Sequence, residues 1–301
     1  MNISNFKRLL QYFYYFKNPF SVLKLHGRNI VKGKKIKIVP RRGEPFFVGR
    51  GPDIWLINKI IFRKGKVNIV CDKESGVEYI LEDGFYLRQG TSDTFIYKEI
   101  MLDRDYELCL NYLNKESLVI DLGAHIGLFS IFCSPFCRKI LAYEAHPENY
   151  QLALKNIKSK SAGNVSVENL AAWSLSGEYL KIDGGSGFQT GDFTVCSVKM
   201  EPKELGVKTI SLDEIFSKEQ IDFCDLLKID IEGAEYCVLM SAPKNVFEKI
   251  GNIYMEYHAD SLNKNTISEL EYFLKKMGFM VNIKPVKENV GYLYAKNLKR
   301  A

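Results

Sequence analysis

Nowhere does the sequence carry the G-x-G-x-x-G turn that seats the pyrophosphate of a dinucleotide, so a nicotinamide cofactor is not expected. Its seven cysteines, an odd number, contain no C-x-x-C pair. That fits neither a disulfide framework nor a zinc site, and points to buried thiols in a reducing compartment. No apolar run approaches the ~18 residues of a membrane span, and no small-residue cleavage site follows an apolar core at the amino terminus. A cytoplasmic protein is expected. Repeats and low-complexity linkers are also missing. Acidic residues are scarce at one end: residues 1–70 hold only Glu44 and Asp53 against 16 Lys and Arg. The balance there is +14 in a chain of net charge +6, which leaves −8 on residues 71–301. Such a basic arm seeks phosphates, of nucleic acid, anionic lipid or a phosphorylated glycan carrier.

What is present suffices for a full core: 301 residues, 46% of them hydrophobic. Ile3, Phe6, Leu9, Leu10, Phe13 and Phe16 recur at helical spacing until Pro19. Residues 1–20 therefore read as an amphipathic helix, whose apolar face either packs on the protein or lies in a membrane interface. Residues 21–96 are basic and β-like, with a hairpin of 77–81 and 85–88 around Asp83-Gly84. A helix is predicted over 97–113, opening a unit that runs from 97 to 301.

That unit is organised around Val119-Ile120-Asp121-Leu122-Gly123-Ala124-His125-Ile126-Gly127. Apolar Leu118, Val119 and Ile120 read as a buried strand, Asp121 as its carboxyl end, and Gly123 and Gly127 as a turn into the apolar run 128–132. Glycine there lets a bulky ligand approach the backbone, and the first turn of the new helix favours an anionic group. A second strand, Lys139 to Tyr143, ends in Glu144, 23 residues past Asp121 and placed to accept ribose hydroxyl protons. A ligand with a ribose and a carboxylate but no phosphates is S-adenosylmethionine.

The alternation continues. His146-Pro147 opens a helix lined by Tyr150, Ala153, Leu154 and Ile157, and 165–170 forms a third strand. Residues 177–200 form an inserted hairpin whose glycine-rich loop is placed to cover the active site. Strands follow at 226–231 and 253–257, then a helix at 266–277, and a closing hairpin of 279–284 and 291–295.

Together with Tyr143-Glu144-Ala145-His146-Pro147, Thr209-Ile210-Ser211-Leu212-Asp213 and above all Leu227-Lys228-Ile229-Asp230-Ile231-Glu232-Gly233-Ala234-Glu235, the 119–127 stretch resembles the FkbM family of S-adenosylmethionine-dependent methyltransferases over roughly residues 99–297. One departure is His125, where such proteins usually carry Asn; both side chains can donate a hydrogen bond. The resemblance implies an α/β fold, the Rossmann-like class I methyltransferase sheet, mostly parallel with an antiparallel last strand. It also implies O-methylation of a glycan or glycolipid hydroxyl.

Open α/β sheets bind ligands outside the carboxyl ends of their strands. Candidate cofactor contacts are Asp121, Gly123, Ala124, His125, Gly127, Glu144, Ala145, Ala172, Trp173 and Asp230. A sugar hydroxyl is weakly acidic and needs a base; Asp230 and His258 are the candidates and Glu232 the alternative. No metal ligands are assigned, a carboxylate-bound metal being the weaker alternative. Among rival readings, a nucleic-acid methyltransferase is disfavoured by the missing N-P-P-Y or D-P-P-Y motif. A membrane-surface binding module with an inert Rossmann unit is the non-enzymatic rival.

Overall fold

A computed structural model describes residues 11–24, 36–48, 55–57, 59, 67–73, 75–184, 193–199, 206–258, 266–287 and 290–299. Contacts group the chain into two units, Met1–Leu102 with Gly185–Gly191, and Asp103–Gly184 with Asp192–Ala301.

In the first unit, residues 11–15 are helical and Pro19–Lys24 forms α1. Pro19 thus opens a second helix, a position proline favours because its missing N–H would be unpaired there anyway. Tyr12 and Phe16 are buried one turn apart, whereas Phe13, expected on the same apolar face, is exposed. Strands β1 (Ile36–Ile38) and β2 (Phe46–Val48) pair antiparallel. Strands β3 (Asn68–Cys71), β4 (Glu78–Glu82) and β5 (Phe85–Arg88) form an antiparallel sheet. The β4–β5 turn places Asp83 at φ 47° and Gly84 at φ 84°, the left-handed pair that a two-residue hairpin requires.

The predicted helix over 97–113 is broken into three pieces: α2 (Asp93–Tyr97), a π-helical turn Lys98–Asp103 and a 3-10 turn Glu107–Tyr112. Arg104, at φ 59°, interrupts the helical path between the last two.

The second unit holds a seven-stranded sheet in the order β15-β16-β14-β13-β6-β7-β8. Its parallel strands are β6 (Leu118–Leu122), β7 (Lys139–Tyr143), β8 (Val165–Glu168), β13 (Cys224–Ile229) and β14 (Ile250–Tyr257). Strand β16 (Val290–Asn297) joins β14 antiparallel, and β15 (Phe279–Lys287) pairs antiparallel with β16. Every residue of β6 is buried, as a strand covered on both faces must be. Leu226, Leu227 and Ile229 of β13 are fully buried too, each contributing roughly 1.5–3 kcal/mol. Chain order runs outward from β6 through β7 and β8 on one side, and from β13 through β14 on the other. The β6/β13 boundary is therefore the switch point of the sheet, where open α/β folds form their crevice.

Helix α3 (Leu128–Cys133) follows β6, and α4 (Pro147–Ser159) follows β7. The buried face of α4 is Asn149, Leu152, Ala153 and Asn156, rotated from the predicted Tyr150, Ala153, Leu154 and Ile157. Polar residues hold core positions because their amides are used: Asn156 Nδ2 donates to the Ile126 carbonyl at 3.0 Å, and Asn149 Nδ2 to Glu144. Between β8 and β13 lies a smaller four-stranded sheet, β11-β10-β12-β9. Its strands are β9 (Ala171–Ala172), β10 (Tyr179–Gly184), β11 (Phe193–Lys199) and β12 (Val207–Ile210). β10 and β11 are the expected inserted hairpin, while residues 185–192 of its loop lie outside the described residues. Helices α5 (Leu212–Lys218), α6 (Glu235–Ser241) and α7 (Lys244–Phe247) precede β14, and α8 (Ile267–Lys276) follows it. Thr266 and Glu269 form a reciprocal capping box on α8, a device worth about 0.5–2 kcal/mol.

Among the described residues six cysteines are free thiols, and burial pushes the Cys109 thiol up to about 12 and the Cys137 thiol up to about 11. No helix among the described residues is long and apolar enough to cross a membrane.

Candidate active site

The turn after β6 is held from two sides. The Gly123 and Ala124 N–H groups both donate to the Tyr143 carbonyl of β7, at 2.9 and 3.0 Å. Gly123 has φ 81°, and a Cβ on it would stand 1.8 Å from the Asp230 carbonyl oxygen. The backbone of the β13 turn thus demands glycine here on its own account. His125 is also left-handed, at φ 51°, and Gly127 caps α3 at φ 82°.

Glu144 lies at the end of β7 and is only 6% exposed. One carboxylate oxygen accepts the His125 N–H at 2.7 Å, and the other the His146 N–H at 2.8 Å. Burial raises its pKa, against the lowering effect of these N–H groups and of the charge on His125. The carboxylate therefore ties the β6 turn to the start of α4. His146 takes the N-cap position of α4, but its side chain makes no cap hydrogen bond. Ala145 is half-buried beside it, and the Asn169 amide fixes the Glu144 and Ala145 carbonyls at 2.8 Å each. Ala172 and Trp173 are buried, Trp173 in a small core with Ala171, Leu180, Val207 and Ala234.

Asp121 is fully buried and its carboxylate faces inward. One oxygen accepts from the Ser130 hydroxyl at 2.6 Å, and the other lies 3.2 Å from the Lys228 ammonium. Lys228 also donates to the Gly123 carbonyl at 2.8 Å and stands 3.8 Å from Asp230. Burial works against its charge, but Asp121 and Asp230 outweigh that and raise its pKa. This lysine was not among the sequence candidates. A signal existed: a lysine inside the otherwise apolar run 226–229 of a strand buried on both faces must have a partner of opposite charge.

The turn after β13 carries the remaining candidates. Asp230, Glu232 and His258 present one ligand atom each within 4.8 Å of one another. His258 Nδ1 is 2.9 Å from Glu235, and Nε2 is 3.3 Å from Glu232 and 3.9 Å from Glu256. Glu235, fully buried at the start of α6, also accepts the Ile231 and Gly233 N–H groups. It too was missed, although it stands two residues after a glycine in the most distinctive block of the sequence. Burial disfavours the charged His258 ring, but its bond to Glu235 and the nearby carboxylates push its pKa up to about 10. Burial, then repulsion from Asp230, push Glu256 up to about 7. The structure thus brings together Asp121, the Gly123–Gly127 turn, Glu144, Asp230, Glu232 and His258 at the carboxyl ends of β6, β7, β13 and β14.

Residues 121–281 match the model of the methyltransferase FkbM domain. The chain is 25% identical over 212 residues to Methyltransferase 1 of Beauveria bassiana, covering 63% of this chain and 82% of that protein. It is 24% identical over 172 residues to the hexuronic acid methyltransferase AglP of Haloferax volcanii, covering 57% and 69%. To the 31-O-demethyl-FK506 methyltransferase FkbM of Streptomyces tacrolimicus it is 24% identical over 215 residues, covering 62% and 82%. Among solved structures, methyltransferase FkbM from Methylobacillus flagellatus aligns at 16% identity and TM-score 0.40, over 60% of this chain and 43% of that one. A Streptococcus mutans protein solved with SAH aligns at 15% identity and TM-score 0.42, over 66% and 100%. With the family model spanning more than half of the sequence and containing Asp121, Glu144, Asp230, Glu232 and His258, the chain belongs to the FkbM family of methyltransferases.

Proposed function

We propose that the enzyme transfers the methyl group of S-adenosylmethionine to a hydroxyl of a glycan or glycolipid. Glu144 carries the cofactor assignment. Its carboxylate is held at a strand end by two backbone N–H groups; one oxygen also takes the Asn149 amide, and the other, which accepts the His125 N–H, keeps a further lone pair for a ribose hydroxyl. The Gly123–Gly127 turn, with Asp121 behind it and Ala145, Ala172 and Trp173 beside it, completes the cofactor's surroundings. Asp230, His258 and Glu232 face the acceptor. Methyl transfer is an in-line displacement, so these groups orient the hydroxyl and favour the loss of its proton.

The acceptor class is supported by the relative that methylates a hexuronic acid. It is supported also by the half-buried rings of Tyr254 and Tyr292 near the carboxylates, with buried Tyr106 behind them. Tyr106 packs on Tyr254 at 5.3 Å, and Tyr254 on Tyr292 at 6.1 Å. Burial, then the charges of Asp230 and Glu256, raise the Tyr106 pKa. Rings with an apolar face and a polar tip suit a sugar, which is itself apolar on one face and hydroxylated at its edge.

Glu144→Ala is expected to weaken S-adenosylmethionine binding by about 1–3 kcal/mol, the loss for charge-assisted hydrogen bonds. Calorimetry on the purified variant checks this, and wild-type affinity would sink the ribose assignment. NAD is expected not to bind at millimolar concentration, because the pyrophosphate turn is missing. Screening cell-envelope fractions with labelled methyl donor then tests the acceptor.

The basic arm fits a lipid-linked acceptor presented at an anionic membrane. Among its described residues Tyr12 and Phe16 are buried, and Phe13, Tyr14 and Phe20 are exposed. Basic residues near such a surface contribute about 1 kcal/mol each, and the effect fades within a Debye length. Binding to anionic vesicles is expected to weaken as salt rises. If the protein ignores such vesicles at low salt, the arm serves another anionic partner.

A further inference from the structure

We propose that Asp230, Glu232 and His258 form a divalent-cation site that holds the acceptor through two of its oxygens, an inference that rests on the O-methyl transfer reading. Two carboxylates and an imidazole within 4.8 Å stand a few tenths of an ångström wider than the donors of one ion, where opposite ligands at roughly 2.1 Å each lie about 4.2 Å apart, a gap that small side-chain rotations close. The separate observation that points to a metal is Glu235. Metal-binding histidines almost always give their other ring nitrogen to a carboxylate, which fixes the tautomer and the direction of the free nitrogen. Here the fully buried Glu235 takes His258 Nδ1 at 2.9 Å and is itself anchored by two backbone N–H groups, leaving Nε2 turned toward Glu232.

The backbone agrees. Glu232 sits at φ 53° and Gly233 at φ 104°, so a non-glycine residue is kept in left-handed geometry next to the histidine. Charge agrees as well: Asp230, Glu232, Glu235 and Glu256 gather around one histidine, while Lys228 lies closer to Asp121 and Gly123, at 3.2 and 2.8 Å, than to Asp230, at 3.8 Å. Hard oxygen donors with one imidazole suit manganese or magnesium. Three protein ligands leave three octahedral positions, enough for two neighbouring acceptor oxygens and a water. With the ion bound, the acceptor hydroxyl loses its proton to water more readily. Its oxygen then forms the new bond to the methyl carbon as the carbon–sulfur bond breaks, and that electron pair stays on sulfur.

The test is a Mn2+ titration of the full-length protein followed by electron paramagnetic resonance, with S-adenosylmethionine present and absent. One ion per chain is expected. Glu232→Gln and His258→Ala should each weaken binding at least tenfold, and Glu235→Gln by about 10- to 100-fold. Thermal melts confirm folding, and Glu232→Gln serves if a variant touching buried Glu235 fails to fold. Wild-type protein that takes up no Mn2+ at millimolar concentration overturns the site, as do Glu232→Gln and His258→Ala titrating like wild type. Calorimetry with S-adenosylmethionine in chelator separates the two readings. Cofactor binding without Mn2+ binding removes the cation site alone; Mn2+ binding lost in the variants, without cofactor binding, keeps the site and removes the cofactor assignment.

Discussion

Replacing Lys228 by methionine is expected to destabilise the protein by roughly 3–5 kcal/mol, the scale for removing one partner of a buried ion pair. Methionine keeps much of the volume, so the loss is electrostatic. Without the ammonium, the fully buried Asp121 carboxylate retains, among the described residues, the Ser130 hydroxyl, and the Gly123 carbonyl loses the Lys228 donor. A surface control is at hand in Lys218, whose pair with Glu168 is about 40% exposed on both sides. Lys218→Ala should cost no more than about 1 kcal/mol. Urea unfolding of the two variants gives the comparison, and the double variant Lys228→Met with Asp121→Asn should lose less than the sum of the singles. A Lys228→Met midpoint equal to wild type would mean that Asp121 is satisfied by other means.

Turnover is expected to fall about 10²-fold or more in His258→Ala and in Asp230→Asn, the contribution of a group that moves or directs the acceptor's proton. The two should differ in what else they change. His258 is bound to Glu235 and Glu232, away from the Glu144 side, so His258→Ala should leave S-adenosylmethionine affinity nearly intact. Asp230 neighbours both Lys228 and the Gly123 turn, so loss of cofactor binding in Asp230→Asn would assign it to the cofactor instead. Single-turnover rates with the true acceptor decide, and full activity in both variants would remove the pair from the chemistry.

Short-range features were legible in the sequence. The strand-turn-helix of 118–133, the strand ending at Glu144 and the closing hairpin follow from apolar runs punctuated by glycine, acid and proline. Features that depend on distant partners were not. Lys228 meets Gly123 across 105 residues, and the Leu118 N–H meets the Asp225 carboxylate across 107. No local period announces either contact. That Gly123 must also make room for the Asp230 carbonyl, 107 residues away, is likewise invisible in the local pattern. The buried face of α4 was misplaced because a helical period counts apolar residues, whereas Asn149 and Asn156 occupy core positions by spending their amides on hydrogen bonds. The helix over 97–113 failed at Arg104, whose left-handed backbone no propensity foretells.

Strands β9 and β12 bear on how such an enzyme changes over evolutionary time. They pair directly, Ala171 beside Thr209 and Ala172 beside Ile210, so the intervening chain departs and returns at adjacent points. A segment with neighbouring ends can be lengthened, shortened or exchanged while the surrounding sheet keeps its register. Its anchor is Trp173, packed with Leu180 and Val207 against Ala234, one residue past the Asp230–Gly233 turn. A lineage that rewrites this cassette leaves the strand ends that carry Asp121 and Glu144 untouched. The inserted segment and the strand ends can therefore diverge at separate rates within one chain.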